Sequence, residues 1–83
     1  MEKRIALIGI IVEEITVSNE VNQILHEFSA YIIGRMGLPY KEKDISIISV
    51  VLDADSNIIS SLAGKLGMVK GISVKTMYSK TGK

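Results

Sequence analysis

Residues 24–40, ILHEFSAYIIGRMGLPY, hold the chain's only histidine, phenylalanine and proline and two of its three tyrosines. Few other side chains could do chemistry. His26 falls near the end of an amphipathic stretch, where it could cap helix carbonyls or donate one metal ligand. One histidine with no cysteine in the chain makes a poor transition-metal site, so no metal is expected. Arg35 stands among apolar and small residues, IIGRMG. A guanidinium in that setting requires a carboxylate, a phosphate or water. Its partner is expected to be Glu13, Glu14 or Asp53 in a salt bridge across a subunit interface, or else an anionic ligand at a subunit boundary. Gly34 and Gly37 beside it suit a close backbone approach by a ligand or a neighbouring subunit.

Three further groupings carry less. Thr16, Ser18 and Asn19 follow the first strand and offer hydroxyl, amide and helix N-terminal donors. Glu13, Glu14, Asp53 and Asp55 sit at the ends of two strands that the topology is expected to bring to one side of the sheet. Acid/base catalysis would need them in a cleft as a perturbed pair. Solvated loop carboxylates are much commoner. Gly64-Lys65-Leu66-Gly67 spells GxxG, which clamps a nucleic-acid backbone in KH domains, but helix termination explains it better. No Ser-His-Asp, phosphate-loop or zinc signature is present, so the chain reads as a non-enzyme with no catalytic residues and no cofactor.

The elements that would position these groups follow from hydrophobic spacing. Residues 4–12 are apolar on both alternating faces, as in a strand buried on both sides. Thr16 or Ser18 can cap a helix carrying Val17, Val21, Ile24/Leu25 and Phe28 on one stripe, ending near Ser29. Residues 30–36 read as a second strand, punctuated by Gly37-Leu38-Pro39, and 40–44 as a polar connection. ISIISVVL at 45–52 is the strongest strand, and 53–56 a turn that supplies a cap. Ile58/Ile59, Leu62/Ala63 and Leu66 form a second stripe, with Gly67 as the left-handed residue that stops it. Residues 72–78 alternate as a fourth strand, and 79–83 form a polar tail.

The order β-α-β-β-α-β predicts an α+β, ferredoxin-like sandwich: a four-stranded antiparallel sheet with two helices on one face. Residues 1–83 are read as one domain. Two helices cannot cover both sides of the sheet, and 47% of the residues are hydrophobic. The excess apolar surface predicts a homo-oligomer, dimer or tetramer, joined through sheet faces or edges. Ten basic against nine acidic residues give no field for nucleic acid or an anionic membrane. The apolar run at 5–12 is too short for a signal peptide or a membrane span, so a cytoplasmic protein is expected.

EKRIALIGIIVE, VNQILHEFSAYIIGRMGLPY, ISIISVVLDAD and LAGKLGMVKGISVKTMYSK together resemble a small family, the ACT-like regulators of the iron-only hydrogenase system. The resemblance implies a free-standing regulatory domain tied to the maturation or expression of that hydrogenase. It would sense a small-molecule effector or contact a protein partner. Transcriptional regulation would need DNA contacts from an oligomeric surface or a partner, since no DNA-reading segment is left over. The fold is also similar to the regulatory half of nickel-responsive repressors. Their nickel site does not carry over, because Arg35, Met36 and Gly37 stand where histidine and cysteine would be needed. Amino-acid-sensing ACT domains bind near the turn after the first strand, here residues 13–19, which lack the Pro-Gly often found there. Thr16, Ser18, Asn19, His26, Arg35 and Gly37 are the expected ligand-binding residues. A small dimeric enzyme using His26, or a ligand-free assembly scaffold, is the alternative.

Overall fold

The structure, a computed structural model, describes residues 3–80. Its elements are β1 (Lys3–Val12), α1 (Ser18–Glu27), β2 (Ile32–Tyr40), β3 (Ile45–Asp55), α2 (Ser56–Gly67) and β4 (Ile72–Tyr78). Short 3-10 turns at Ile15–Val17, Ser29–Tyr31 and Lys41–Lys43 join them. All neighbouring strands are antiparallel, in the order β2-β3-β1-β4. This is the predicted ferredoxin-like βαββαβ arrangement. The polar tail expected at 79–83 falls outside the described residues from 81 onward. Ser79 is held to β1, its N–H donating to the Ile5 carbonyl at 2.9 Å. Its carbonyl accepts from Arg4 at 2.9 Å, and the Arg4 guanidinium lies 4.7 Å over the Tyr78 ring.

The core lies between the helices and one sheet face. Ala6, Ile8, Ile10 and Val12 of β1 and Ile48, Val50, Leu52 and Ala54 of β3 point into it. Val21 and Leu25 of α1 and Ile59, Leu62 and Leu66 of α2 close it from above. Strand alternation sends Leu7, Gly9 and Ile11 to the other face, where Leu7 and Ile11 are 37% and 40% exposed. The expectation that β1 is buried on both faces therefore fails within one chain. Only one face has helices to cover it.

Several boundaries moved for identifiable reasons. Gly37-Leu38-Pro39 continues β2 instead of ending it, paired with Ile48, Ile47 and Ser46. Because β2 is an edge strand, a proline that cannot donate a ladder hydrogen bond is tolerated there. α1 has no side-chain cap from Thr16 or Ser18: Val17 occupies the cap position. Gly67 is not left-handed. The chain turns on through right-handed Met68, the C-cap of α2, with Val69 N–H donating to Leu66 O at 3.1 Å, and so buries Val69. The left-handed glycine is Gly71, at φ +89°.

The cap of α2 falls within the expected 53–56, at Asp55, but 53–55 are not a turn: β3 runs through Asp55 directly into the helix. The Asp55 Oδ1 accepts from the Ile58 N–H at 3.1 Å. Asp55→Ala should lower stability by about 1 kcal/mol. Urea denaturation would read this as a lower midpoint at unchanged slope, and an unchanged midpoint would show that water replaces the cap.

Candidate functional site

α1 packs on the sheet through Val21 and Leu25 and leaves the helix-side surface of β2 bare beyond Ile32. A register irregularity between Ile32 and Gly34 loosens β2 from β3 at the same place. Between the flank of α1 and this loosened edge lies a cleft of about 440 Å³. Asn22, Leu25 and His26 line it from α1, Ser29 from the following turn, and Ile32, Ile33, Gly34 and Arg35 from the strand. Its base is apolar, with Leu25 buried and Ile32 half-buried, and its polar groups are an imidazole, a hydroxyl, an amide and a guanidinium.

The guanidinium is positioned by neutral groups. Arg35 Nη2 donates to Asn22 Oδ1 at 2.7 Å, and Asn22 Nδ2 donates to the Ser18 carbonyl at 3.0 Å. The amide is held from both ends, so Arg35 is tied through it to the first turn of α1. Within the described residues of the chain no carboxylate is paired with Arg35. Among the described residues the one salt bridge joins Lys65 and Glu27, at 3.1 Å, linking α2 to α1. Lys65 also lies 5.7 Å from the Phe28 ring centre, so the GxxG segment braces the two helices. A pair this exposed contributes at most about 1 kcal/mol.

The structure thus brings His26 and Arg35 into one cleft and separates the other expected site residues. Ser18 enters only through its backbone carbonyl. Thr16, in the β1–α1 turn, and Asn19, in the first turn of α1, are exposed and do not line the cleft, and Gly37 lies further along β2. Asn22 and Ser29 were missed. The available signal was the i, i+4 spacing of Ser18, Asn22 and His26, which puts them along one side of a helix.

The four acidic residues do not converge. β1 and β3 are antiparallel, so Val12 pairs with Ser46 while Lys3 pairs with Asp55. Glu13 and Glu14 are at one end of the sheet, Asp53 and Asp55 at the other. No group of three or more His, Cys, Asp or Glu side chains that could hold a metal occurs among the described residues. Glu13 is engaged locally: Oε2 accepts from Ser73 Oγ at 2.8 Å. The Glu13 and Glu14 N–H groups both donate to the Gly71 carbonyl, at 2.8 and 3.0 Å. No helix among the described residues is long and apolar enough to cross a membrane.

Fold and cleft define a ferredoxin-like α+β domain with an arginine-bearing groove on its edge strand. A family model described as "TM1266-like: Iron-only hydrogenase system regulator, putative" matches residues 4–76. The chain belongs to this family, whose description is that of a regulator of the iron-only hydrogenase system. A search of curated proteins found no match. Among solved structures, uncharacterized protein TM1266 from Thermotoga maritima is similar at 40% identity and TM-score 0.90, over 95% of this chain and 100% of that one. The C-terminal domain of the MgtC protein from Mycobacterium tuberculosis is similar at 11% identity and TM-score 0.68, over 99% and 94%. A formyltetrahydrofolate deformylase from Pseudomonas putida KT2440 is similar at 11% identity and TM-score 0.63, over 88% of this chain and 28% of that one. The last two likenesses are of fold alone.

Proposed function

We propose that this chain is an oligomeric, non-catalytic regulatory domain of the iron-only hydrogenase system, which senses a small anionic ligand in the Arg35 cleft and passes that state to a partner protein. Residues 1–83 act as one ACT-like domain in the cytoplasm, without a resident metal or cofactor. The observation that carries the reading is the state of Arg35. Its guanidinium is held at the cleft by a neutral amide, with donors to spare and no carboxylate against it. Guanidinium geometry favours two-point contact with a carboxylate or phosphate. The Ser29 hydroxyl and His26 ring stand on the same wall, and Leu25 and Ile32 offer a short apolar surface for the rest of the molecule. A small enzyme working through His26 would need a carboxylate beside it, and none lines the cleft.

The test is titration of the protein with inorganic phosphate and with acetate, followed by amide chemical shifts. Shifts confined to residues around 22, 26 and 35 are expected. Arg35→Gln should weaken the response about tenfold or more, the loss of a charge-assisted contact of roughly 1.5–3 kcal/mol. Because Arg35 is exposed, its unfolding midpoint should stay within about 0.5 kcal/mol of the parent. An unchanged spectrum with both anions, or an Arg35→Gln response equal to the parent's, would remove the ligand assignment.

A further inference from the structure

The sheet face opposite the helices carries a pattern that its own chain does not explain. Leu7 and Ile11 of β1 and Met36, Leu38 and Tyr40 of β2 are exposed there. Together they bare on the order of 500 Å², within the upper range for a patch on a monomer. The half-buried Ile45, Ile47 and Val51 extend it towards the roughly 800 Å² that each partner gives to a stable interface. The register arranges the central strands in rows: Leu38–Ile47–Ile11, Met36–Ser49–Gly9 and Gly34–Val51–Leu7. In two of these rows one flanking position is glycine and the other a long side chain, and the glycine changes sides between rows. A Cβ on Gly9 or Gly34 would meet nothing within 4 Å, so neither glycine is required by a neighbour in the chain. Glycine inside a strand costs about 0.5–1 kcal/mol, which makes the choice informative. Over Gly9 lies a hollow of about 300 Å³, walled by Ile11, Ile47 and Ser49 and, on the β4 side, by Ser73 and Lys75.

We propose that the occupant of this face is the same face of a second copy, related by a two-fold axis between the two sheets that runs along β3. This rests on the oligomeric part of the function proposed above and not on the anion site. Rotation about that axis exchanges β1 and β2 and keeps each row at its own height. Met36 of each copy then enters the hollow over Gly9 of the other, and Leu7 covers Gly34. Ile47, Ser49 and Val51 meet their own counterparts. Methionine is a flexible knob suited to such a hollow. An axis running across the strands would instead set Met36 on Met36 and leave both hollows empty. Sheets stacked face to face lie about 10 Å apart and cross at about 30°, so the match is tightest at the Ser49 row. Of β4 only the edge that borders the hollow is reached, and the flexible Lys75 stem lies along it with its ammonium in water, which avoids burying a charge. Asp53 meets its counterpart only at the rim, where sheet twist spreads the two faces apart.

The chain has no cysteine, so single cysteines report the geometry cleanly. Sedimentation velocity at tens of micromolar should give a mass of at least two chains. A bis-maleimide spanning about 10 Å should join Ser49→Cys chains across the axis and leave Ser73→Cys, on β4, unjoined. Gly9→Leu fills the hollow and should weaken association about 30-fold, as should Met36→Gly, which removes the knob from an exposed position. Combining the two exchanges knob and hollow between strands and should restore most of the affinity. A monomeric parent overturns both this face and the oligomeric reading. An oligomer that cross-links through Ser73→Cys alone, or that ignores Met36→Gly, overturns the face only. Anion shifts around Arg35 are read separately in the same samples, so the fate of the ligand site stays distinguishable.

Discussion

Gly71→Ala is expected to lower the unfolding free energy by about 2–5 kcal/mol, summing two costs of roughly 1–2 and 1–3 kcal/mol. The first is conformational. Gly71 is at φ +89°, where a Cβ meets the backbone. The second is steric. A Cβ there would stand 2.7 Å from Glu14 Oε2 and 2.8 Å from Glu14 Cβ, closer than atoms pack. The Glu14 carboxylate can swing into water, but its Cβ cannot relax cheaply, because the Gly71 carbonyl holds the Glu13 and Glu14 N–H groups and so anchors the turn that leads into α1. Urea denaturation at fixed pH measures the loss. A Glu14→Gly background separates the causes: it removes the clash and should return only the steric share. A Gly71→Ala midpoint equal to the parent's would mean that this turn moves freely.

Leu62→Ala should cost about 3–4 kcal/mol, since Leu62 is fully buried at the centre of α2 and its removal leaves a cavity that rigid neighbours cannot close. A domain of this size has a total stability of about 4–12 kcal/mol. The melting temperature should fall by roughly 12–30 °C. Leu38→Ala deletes the same side chain from the uncovered face, where Leu38 is 57% exposed. Within one chain it should change stability by no more than about 0.5 kcal/mol. A matched pair of thermal melts at low protein concentration compares the two faces directly. Equal losses would contradict the one-sided core.

The architecture was legible because its signals are local and repeated. The apolar, β-branched run at 45–52, the alternation in 72–78 and the helical stripes around Leu25 and Leu62 each marked an element, and their order implied the sheet. The missed boundaries depended on tertiary position. Pro39 reads as a stop until β2 is known to be an edge strand, and Gly67, which does end α2, reads as left-handed until the turn is seen to run on to Gly71. The separation of Glu13 from Asp53 follows from β1 and β3 running antiparallel, a fact of pairing and not of composition. Of the site, His26 and Arg35 stood out by rarity. Asn22 did not, since an asparagine on a helix surface is ordinary until its amide is seen between Ser18 and Arg35.

The strand order also has a kinetic consequence. β2 and β3 form a hairpin that can close locally, but β1 pairs with β3 and β4, as in Val12 with Ser46 and with Ile72. Sheets dominated by such distant pairings fold slowly, because loop-closure entropy is spent before the contacts are made. During synthesis at about 5–20 residues per second, β1 waits roughly 3–13 s after its own completion for β4 to emerge. For that interval the run ALIGIIV has no second neighbour, and it is the segment a ribosome-associated chaperone should hold.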